Sequence, residues 1–261
     1  MRSLDIAATG MLAQQLNVEV ISNNIANVNT TGFHRRRAEF QDLLYQSDRR
    51  VGSTSSSDGT IVPSGVQIGL GVKTVAVYRI TDQGALTSTE NTFDLAIQGK
   101  GYFQVQIANG ATAYTRAGSF QLSPTGQIVT PDGYTVVPGI TIPPDAIDVT
   151  INQSGEVLVS IAGQVTPTNV GQIEVATFAN DAGLEAIGDG QFLETAASGT
   201  ANTGAPGTPG FGTILQGFLE TSNVNIVAEI TNLITAQRAY ELNSRVIQAS
   251  DEMMSTLTNL R

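Results

Sequence analysis

The single histidine has the widest chemical range of any residue in this 261-residue chain, because imidazole can serve as a metal ligand or as a general base. His34 is followed by three arginines, Arg35 to Arg37, and the chain contains no cysteine. No cluster of aspartate or glutamate lies near His34 at the spacing of a metal site. The sequence therefore predicts a solvated histidine beside three cations and not a ligand.

Acid–base and phosphate-binding chemistry are no better supported. Two close carboxylate pairs lie near prolines or on an expected exposed helix face, where solvated charge is the simpler interpretation: Asp145 with Asp148, and Asp251 with Glu252. The glycine-rich stretches GVQIGLGVK and GKG match neither GxxxxGK[ST] nor a complete GxGxxG. Because no nucleophile, base and orienting group can be assembled, we expect no enzyme, no cofactor and no catalytic, cofactor-binding or metal-binding residues.

The charge distribution argues against nucleic acid as a partner. The net charge is −10, and no lysine or arginine occurs between Ala117 and Gln237, where eleven acidic residues fall. Nucleic-acid binding needs a basic surface, and only the Arg35 to Arg37 triplet is dense in cations. The N-terminus lacks the pattern of a cleaved secretory signal, and no apolar run is long enough to cross a bilayer, so direct membrane insertion is not expected.

Apolar residues that recur every seven positions predict a helix at each end of the chain. In the N-terminal helix they are Leu4, Met11, Val18 and Ile25, with Ile21 on a neighbouring row. In the C-terminal helix they are Ile226, Leu233, Tyr240, Ile247 and Met254, with a second row at Leu242, Val246, Met253 and Leu257. Asn223 or Asn225 is expected to cap the second helix, whose predicted length is about 50 Å. Both helices are apolar on more than one side, which is typical of helices surrounded by other segments.

The middle of the chain has the pattern of short antiparallel strands, with hairpin turns at Asn109-Gly110, Thr125-Gly126 and Asp132-Gly133. We therefore predict an α+β fold in which the N- and C-terminal helices form a coiled-coil layer and a central all-β domain, an antiparallel sandwich or barrel, is inserted between them. The predicted domains are a helical inner core of 1–30 plus 223–261, a connecting region of 31–84 plus 198–222 with an insertion at about 46–73, and an outer β-domain of 85–197.

The asparagine-rich stretch SNNIANVNTTGF, residues 22–33, has two interpretations. One is a helix terminus with Asx turns leading to Gly32. The other is a junction between a packed helix and an extended segment, with asparagine amides forming hydrogen bonds between subunits. The helix rows similarly fit an intramolecular hairpin or contacts between many copies. Because a single hairpin would leave apolar stripes exposed, head-to-tail self-assembly into a helical filament is favoured.

Several motifs resemble, in order along the chain, the bacterial flagellar rod and hook proteins, a family of axial proteins. The stretch NNIANVNTTGFHRRRAEFQDLLYQ resembles their N-terminal signature, in which ANxxTxGF follows a terminal helix. The resemblance continues through FDLAIQGKGYFQV, YTRAGSFQLSPTGQIVTPDGY and LQGFLETSNVNIVAEITNLITAQRAYELNSRVIQASDEMMSTLTNLR. The length and the Ser/Thr-rich insertion after LLYQSDRR resemble a distal-rod subunit more than a proximal rod or hook protein, which remain alternatives.

This resemblance implies a structural protein of the motility apparatus that assembles with itself into a helical tube. The tube would be the drive shaft that transmits motor torque to the hook, and its lumen would be an export channel. The expected partners are further copies of the chain, proximal rod proteins, the hook protein, the surrounding peptidoglycan and outer-membrane ring proteins, and the flagellar export apparatus. The expected location is the basal-body rod across the periplasm, reached by type III export without a cleaved signal.

The residues expected at subunit interfaces are those of the helix rows and of the asparagine-rich junction: Leu4, Met11, Val18, Ile21, Asn24, Ile25, Asn27, Asn29, Gly32, Phe33, Ile226, Leu233, Tyr240, Ile247, Met254 and Leu257. A second set is expected to stiffen the rod: Gly52, Ser53, Thr54, Ser55, Ser56 and Ser57. A protein of a different class, a secreted β-rich binding module, would fold as a monomer with dispensable termini and remains an alternative.

Overall fold

The computed structural model describes residues 2–49, 64–108, 110–164 and 166–259. Two long helices, α1 (Arg2–Ala26) and α2 (Ile226–Asn259), lie at the two ends of the chain, with one 3-10 turn at Asp181–Gly183. The strands between them are β1 Arg36–Asp42, β2 Tyr45–Arg49, β3 Val66–Gly69, β4 Val72–Arg79, β5 Leu86–Ser88, β6 Leu95–Gln98, β7 Tyr102–Gln106, β8 Thr112–Thr115, β9 Gln121–Leu122, β10 Ile128–Val129, β11 Thr135–Val136, β12 Ala146–Ile151, β13 Glu156–Ile161, β14 Thr168–Gln172, β15 Val175–Thr177, β16 Glu185–Gly188, β17 Gln191–Leu193, β18 Asn202–Gly204, β19 Thr213–Gln216 and β20 Phe218–Glu220. This order confirms the predicted α+β class.

Local hydrogen bonds explain where α2 begins and how the chain turns after α1 ends. The Ala228 backbone N–H donates to Asn225 Oδ1 (3.1 Å), so Asn225 caps α2, as one of the two predicted candidates. With 34 residues, α2 is about 50 Å long, as expected. After α1 ends, the chain turns through Asn27 and Thr30: the Thr30 N–H donates to the Asn27 carbonyl (3.2 Å).

The contacts divide the chain into two compact units. Residues Met1–Ile25, Arg36–Tyr78 and Asn225–Arg261 form one, which we call the helical unit. Residues Ala26–Arg35 and Arg79–Val224 form the other, which we call the β unit. The helical unit contains both long helices and the first strands, and the β unit contains the remaining strands.

In the helical unit, the first four strands form one long two-stranded ribbon. Strand β1 pairs with β4, and β2 pairs antiparallel with β3. Hydrogen bonds from the Leu43 N–H to the Gly71 carbonyl (2.8 Å) and from the Leu70 N–H to the Leu44 carbonyl (3.1 Å) connect the two pairs. The ribbon occupies the region of the predicted insertion, although Gly52 to Ser57 lie outside the described residues.

Thr9 of α1 holds the ribbon against the helix. Its hydroxyl donates to the Ile6 carbonyl (2.8 Å) and accepts a hydrogen bond from the Val72 N–H (3.3 Å). The neighbouring Gly71 has φ +121°, and a Cβ there would collide with Thr9 Oγ1. Only glycine satisfies both the backbone angle and the close approach, so this position fixes how closely the ribbon contacts α1.

The β unit is built from antiparallel sheets. The largest has nine strands in the order β16-β17-β8-β7-β11-β10-β9, with β15 also paired to β7 and to β18. A second sheet has the order β12-β13-β14, and β19–β6 and β20–β5 form two-stranded pairs. Predicted turns occur at Gly126 and Gly133, which have φ +80° and +87°. Among the described residues the sheets remain open, so the barrel alternative is not formed.

One large hydrophobic core lies within the β unit. Its fully buried members include Leu95, Ile97, Phe103, Val105, Phe120, Ile128, Val157, Val159, Ile173, Val175 and Ile214. Phe103 and Phe120 meet edge to face with ring centroids 5.1 Å apart. A core of this size supports folding of the β unit from its own contacts.

Neither α1 nor α2, the helices of the described chain, has a stretch long and apolar enough to span a membrane.

Candidate assembly surfaces

The helix rows predicted to contact other subunits are only partly covered within the chain. In α1, Ile21 is buried, and the remaining predicted residues are half-buried: Leu4, Met11, Val18 and Ile25. In α2, Ile226 and Tyr240 are exposed, while Leu233, Ile247 and Met254 are half-buried. The Leu257 side chain lies outside the described part of the chain. The rows are therefore incompletely packed by the chain itself.

Other large apolar side chains on the same helices are more exposed still. Leu12 of α1 is 67% exposed, and Val227 of α2 is 76% exposed. Helix α2 also exposes Ile230, Ile234, Leu242, Val246 and Met253. Isolated soluble proteins rarely leave so extended an apolar surface uncovered. Helix α2 thus offers apolar surface to a partner along most of its length.

The contact between α1 and α2 uses small and polar residues instead. Ser3 Oγ lies 3.4 Å from Ser250 Oγ, and a Cβ on Gly10 would lie 2.8 Å from Asn243 Nδ2. Further along, Asn24 Nδ2 donates to Glu229 Oε2 (3.2 Å). The positions advance along α1 as they retreat along α2, so the helices run antiparallel. An intrachain hairpin therefore exists, but its contacts leave the apolar rows available.

The ribbon carries a second exposed apolar surface, which the sequence analysis missed. Leu44 is 82% exposed, and further large apolar residues are exposed on β2, β3, β4 and the link between β3 and β4: Tyr45, Val66, Ile68, Leu70, Val75 and Val77. The alternation in VKTVAVYR and the apolar LLY stretch could have predicted this surface, because both are typical of strands with one apolar face. A two-stranded ribbon cannot bury such a face alone, so it requires a covering surface.

Asn24 joins three segments of the helical unit. Its side chain is 1% exposed, Oδ1 accepts a hydrogen bond from the Arg36 N–H (2.8 Å), and Nδ2 donates to the Arg36 carbonyl (2.8 Å). The same Nδ2 donates to the buried Glu229 in the first turn of α2. The amide thereby holds α1, the start of β1 and the start of α2 together. All three hydrogen bonds lie inside one chain.

The other predicted asparagines are placed differently. Asn27 Oδ1 accepts a hydrogen bond from the Thr30 hydroxyl (3.2 Å) in the turn after α1. Asn29 is exposed, and Asn27 is half-buried. These two positions remain candidates for contacts with another subunit, whereas the Asn24 amide is used within the chain.

Gly32 and Phe33 position the chain as it enters the β unit. Gly32 has φ +66°, and a Cβ there would lie 2.7 Å from both Arg116 C and Ala117 N, so no larger residue fits. Its N–H donates to the Glu220 carbonyl (2.8 Å). The predicted importance of Gly32 thus has a local physical cause, and Phe33 beside it is half-buried.

His34 is buried, and the prediction of a solvated side chain is wrong. It is 5% exposed, and its Nε2 lies 3.4 Å from Oε1 of Glu220, which is 1% exposed. Arg116 Nε lies 3.0 Å from Glu220 Oε2, and its other nitrogens donate to the carbonyls of Gly101 (2.7 Å) and Gly99 (3.0 Å). Neither Glu220 nor Arg116 was expected from the sequence, because all three residues are far apart along the chain.

The environment of Glu220 favours its charged form. Burial alone would raise the pKa of this carboxyl, but the hydrogen bond to His34, the charge of Arg116 and the Gly84 N–H (3.0 Å) outweigh it. The pKa of Glu220 is therefore lowered from its ordinary value. The cluster ties the segment after α1, the β-domain and strand β20 to one carboxylate.

Asn223, the other predicted cap, is instead a connector within the β unit. Its Oδ1 accepts a hydrogen bond from the Arg35 N–H (2.7 Å), and its Nδ2 donates to the carbonyls of Ile80 (3.1 Å) and Asp82 (2.7 Å). Three separate backbone segments are held by one amide. Asn24 and Asn223 therefore perform the same kind of task in the two units.

Chemistry-bearing clusters are sparse across the described residues. Asp145, Asp148, Asp251 and Glu252 are exposed, as predicted. A groove of about 550 Å³ beside Pro143 and Pro144 has Asp148 as the single ionisable residue among its described lining. Within residues 2–49, 64–108, 110–164 and 166–259, no group of three or more histidine, aspartate or glutamate side chains could hold a metal ion.

Three family profiles match the chain. The profile described as "Flagella basal body rod protein" matches residues 4–34, and "Flagellar hook protein FlgE/F/G D1 domain" matches 96–159. The third, "Flagellar basal body rod FlgEFG protein C-terminal", matches 215–260. These segments include Asn24, which joins the two helices to β1, and Arg116 and Glu220, which form the buried ion cluster with His34.

Full-length relatives distinguish among the members of this group. The flagellar basal-body rod protein FlgG of Caulobacter vibrioides is 63% identical over 261 residues, which cover 100% of both chains. The chain belongs to the FlgG family of flagellar basal-body rod proteins. FlgG proteins of Agrobacterium fabrum and Bacillus subtilis are 53% and 42% identical, covering 99% and 100% of this chain and 98% and 99% of their own. FlgG membership confirms the resemblance seen in the sequence and places the chain in the basal-body rod.

Proposed function

We propose that this chain, a FlgG-family structural subunit of the flagellar distal rod, polymerises into a helical tube that carries motor torque to the hook. The observation that carries the proposal is the apolar surface left exposed on α1, α2 and the ribbon. We infer a structural and not an enzymatic role. The lumen of the tube would serve as an export channel, as the family resemblance implies.

The exposed residues provide enough driving force for assembly. Among the described residues, sixteen large apolar side chains are exposed on the helices and the ribbon, and each would gain about 1 kcal/mol when its remaining surface is covered. The gross gain is on the order of 10 kcal/mol per copy, before the cost of association is subtracted. Because α2 and the ribbon are different surfaces, contacts between them are heterologous, and such contacts propagate into a helix when they do not close.

The proposal also covers folding and stiffness. Each terminal helix alone buries little, so we expect both ends to be largely disordered until a copy joins the rod. Hydrogen exchange of the free chain should then show protection in the β unit and little in α1 and α2. Full protection of the helices in the free chain would contradict coupled folding.

The Ser/Thr-rich segment from Gly52 to Ser57 lies outside the described residues, and we propose that it stiffens the rod. Deleting these six residues should leave assembly intact but change the shape or stiffness of the shaft. Rods of unchanged geometry after the deletion would contradict this role.

The partners follow from the same proposal. We expect other copies of this chain along the shaft, proximal rod proteins and the hook protein at its two ends, and ring proteins of the peptidoglycan and outer membrane around it. The export apparatus would deliver the chain.

The deciding experiment is electron microscopy of purified basal bodies that contain a tagged copy. Label on the straight shaft inside the outer rings is the expected result. Label on the curved segment outside the cell would instead indicate a hook protein, and label absent from the basal body would favour a secreted binding module.

A further inference from the structure

We propose that a row of small and polar residues fixes the register in which α1 pairs with α2. The register row consists of Ser3, Gly10 and Asn24 on α1, which face Ser250, Asn243 and Glu229 on α2. This inference concerns pairing within one chain and does not depend on the proposed polymer. It assigns to these residues a role in specificity that the apolar rows cannot perform.

The contacts of the register row share one heptad spacing. From Ser3 to Gly10 is seven residues, and from Ser250 back to Asn243 is also seven. From Gly10 to Asn24 is fourteen residues, as it is from Asn243 back to Glu229. Matched steps on two antiparallel helices mean that all three contacts belong to a single register over about 30 Å of α1.

The apolar rows contain little information about register. Leu4, Met11, Val18 and Ile25 repeat at the same spacing as the rows of α2, and all are of similar size. Sliding α2 by one heptad, about 10 Å, would again place apolar residues beside apolar residues. The apolar rows therefore favour pairing but do not select one alignment.

The register row does discriminate. If α2 slid one heptad in one direction, the buried Glu229 carboxylate would pass beyond Asn24 and the end of α1 and would lose its hydrogen bond. If it slid in the other direction, Asn243 would face Ser3 and no longer the space beside Gly10, Glu229 would move away from Asn24, and Ser250 would pass beyond the start of α1. An unpaired buried carboxylate is costly, and one polar pair is enough to fix register in coiled coils.

Disulfide closure in the purified full-length chain tests the proposal, since the natural sequence contains no cysteine. Closure reports the register even when the helices pair only part of the time in the free chain, because two cysteines held in contact have a far higher effective concentration than two cysteines on disordered ends. Ser3→Cys with Ser250→Cys reports the native register, because the two hydroxyl oxygens are 3.4 Å apart. Ser3→Cys with Asn243→Cys reports a register one heptad away. This pair also removes Asn243 from its native contact with Gly10, so any bias that it introduces favours the shifted register. In a glutathione buffer, we expect the first pair to close at least about tenfold faster. Equal rates would overturn the proposal.

Substitutions in the register row should then change which register forms. With the native reporter, Glu229→Leu should slow closure several-fold, while Glu229→Gln, which keeps an acceptor for Asn24, should not. Ile25→Leu, in the neighbouring apolar row, is the matched control and should leave the rate unchanged. An unchanged rate in Glu229→Leu, or an equal loss in Ile25→Leu, would show that the apolar rows set the register.

A second pair of substitutions keeps the test independent of Glu229. Gly10→Leu should slow closure, because the new side chain occupies the space of the Asn243 amide. Adding Asn243→Gly should restore the rate, whereas Gln248→Gly, at an exposed position on the same helix, should not. Rescue by both glycines, or by neither, would overturn the proposal. Rod assembly by these variants is measured separately, by electron microscopy of basal bodies, and does not affect the disulfide closure rates.

Discussion

The β unit buries its large apolar residues in a core, whereas the helical unit exposes many of its own. The β unit buries Phe103, Phe120 and their neighbours completely and holds one ion cluster inside. The helical unit joins its helices through serine, asparagine and glutamate and leaves many of its leucine, isoleucine and valine side chains exposed. The difference indicates that the β unit is stabilised by its own core, whereas the helical unit is completed by what covers it.

The largest expected effect comes from making the exposed face of α2 polar. The double substitution Ile230→Ser with Ile234→Ser should abolish rod formation and swimming, because the loss of apolar contact recurs in every copy of the polymer. Electron microscopy of basal bodies measures rod formation. The matched control is Gln237→Ser with Gln248→Ser, two exposed polar positions on the same helix. Normal rods in the Ile230/Ile234 variant would remove the main support for assembly through α2.

The next largest effect should come from Arg116, within the β unit. Arg116→Met leaves Glu220 buried without its arginine partner, which costs about 3–5 kcal/mol. Thermal unfolding followed by near-ultraviolet circular dichroism should show a melting temperature lower by about 10 °C or more. The exposed Lys100, changed to methionine, is the control and should shift it little. Equal shifts in the two variants would mean that the ion cluster adds no stability.

A smaller effect is expected from pH. The lowered pKa of Glu220 means that its ionised form contributes stability above its ordinary value of about pH 4.5. This contribution is lost as the pH falls from about 4.5 through the folded-state pKa. Urea unfolding between about pH 6 and pH 3 should therefore show a steeper loss for the native chain than for Glu220→Gln. Parallel curves for the two chains would contradict the stabilising role of the ionised carboxylate.

The smallest effect is expected at the surface of the helical unit. Arg2 donates to Asp48 at 3.1 and 3.2 Å, but both side chains are 44% exposed. Exposed pairs of this kind contribute less than about 1 kcal/mol and are weakened by salt. Arg2→Ala should leave rod formation and swimming unchanged. A clear loss of either would show that Arg2 contacts something other than Asp48.

Local patterns in the sequence predicted the helices and several turns. The heptad repeats located α1 and α2, and Asn225 was one of two predicted caps because its side chain competes for the first free N–H groups. Asp132-Gly133 predicted a hairpin because glycine tolerates a positive φ. These features depend on residues close together in the chain, so a single sequence contains the necessary information.

Partners distant in the chain were not predictable in the same way. His34 has no acidic neighbour in sequence, and only the fold brings Glu220 and Arg116 to it. The register row was also missed, because a search for apolar periodicity ignores Ser3 and Gly10. The ribbon lies within the predicted connecting region, but its pairing, and therefore its exposed apolar face, depends on contacts between separate strands.

Asn24 has a mechanical consequence. Its amide is bonded to both backbone groups of Arg36 and to Glu229, so it acts as a three-way joint among two helices and a strand. A load applied to any one of these segments reaches the other two through a side chain with only two rotatable bonds. Glutamine would keep the amide group but would add a third rotatable bond, which would make the joint more flexible. If the chain forms the torque-bearing shaft proposed above, a short side chain makes the joint stiff.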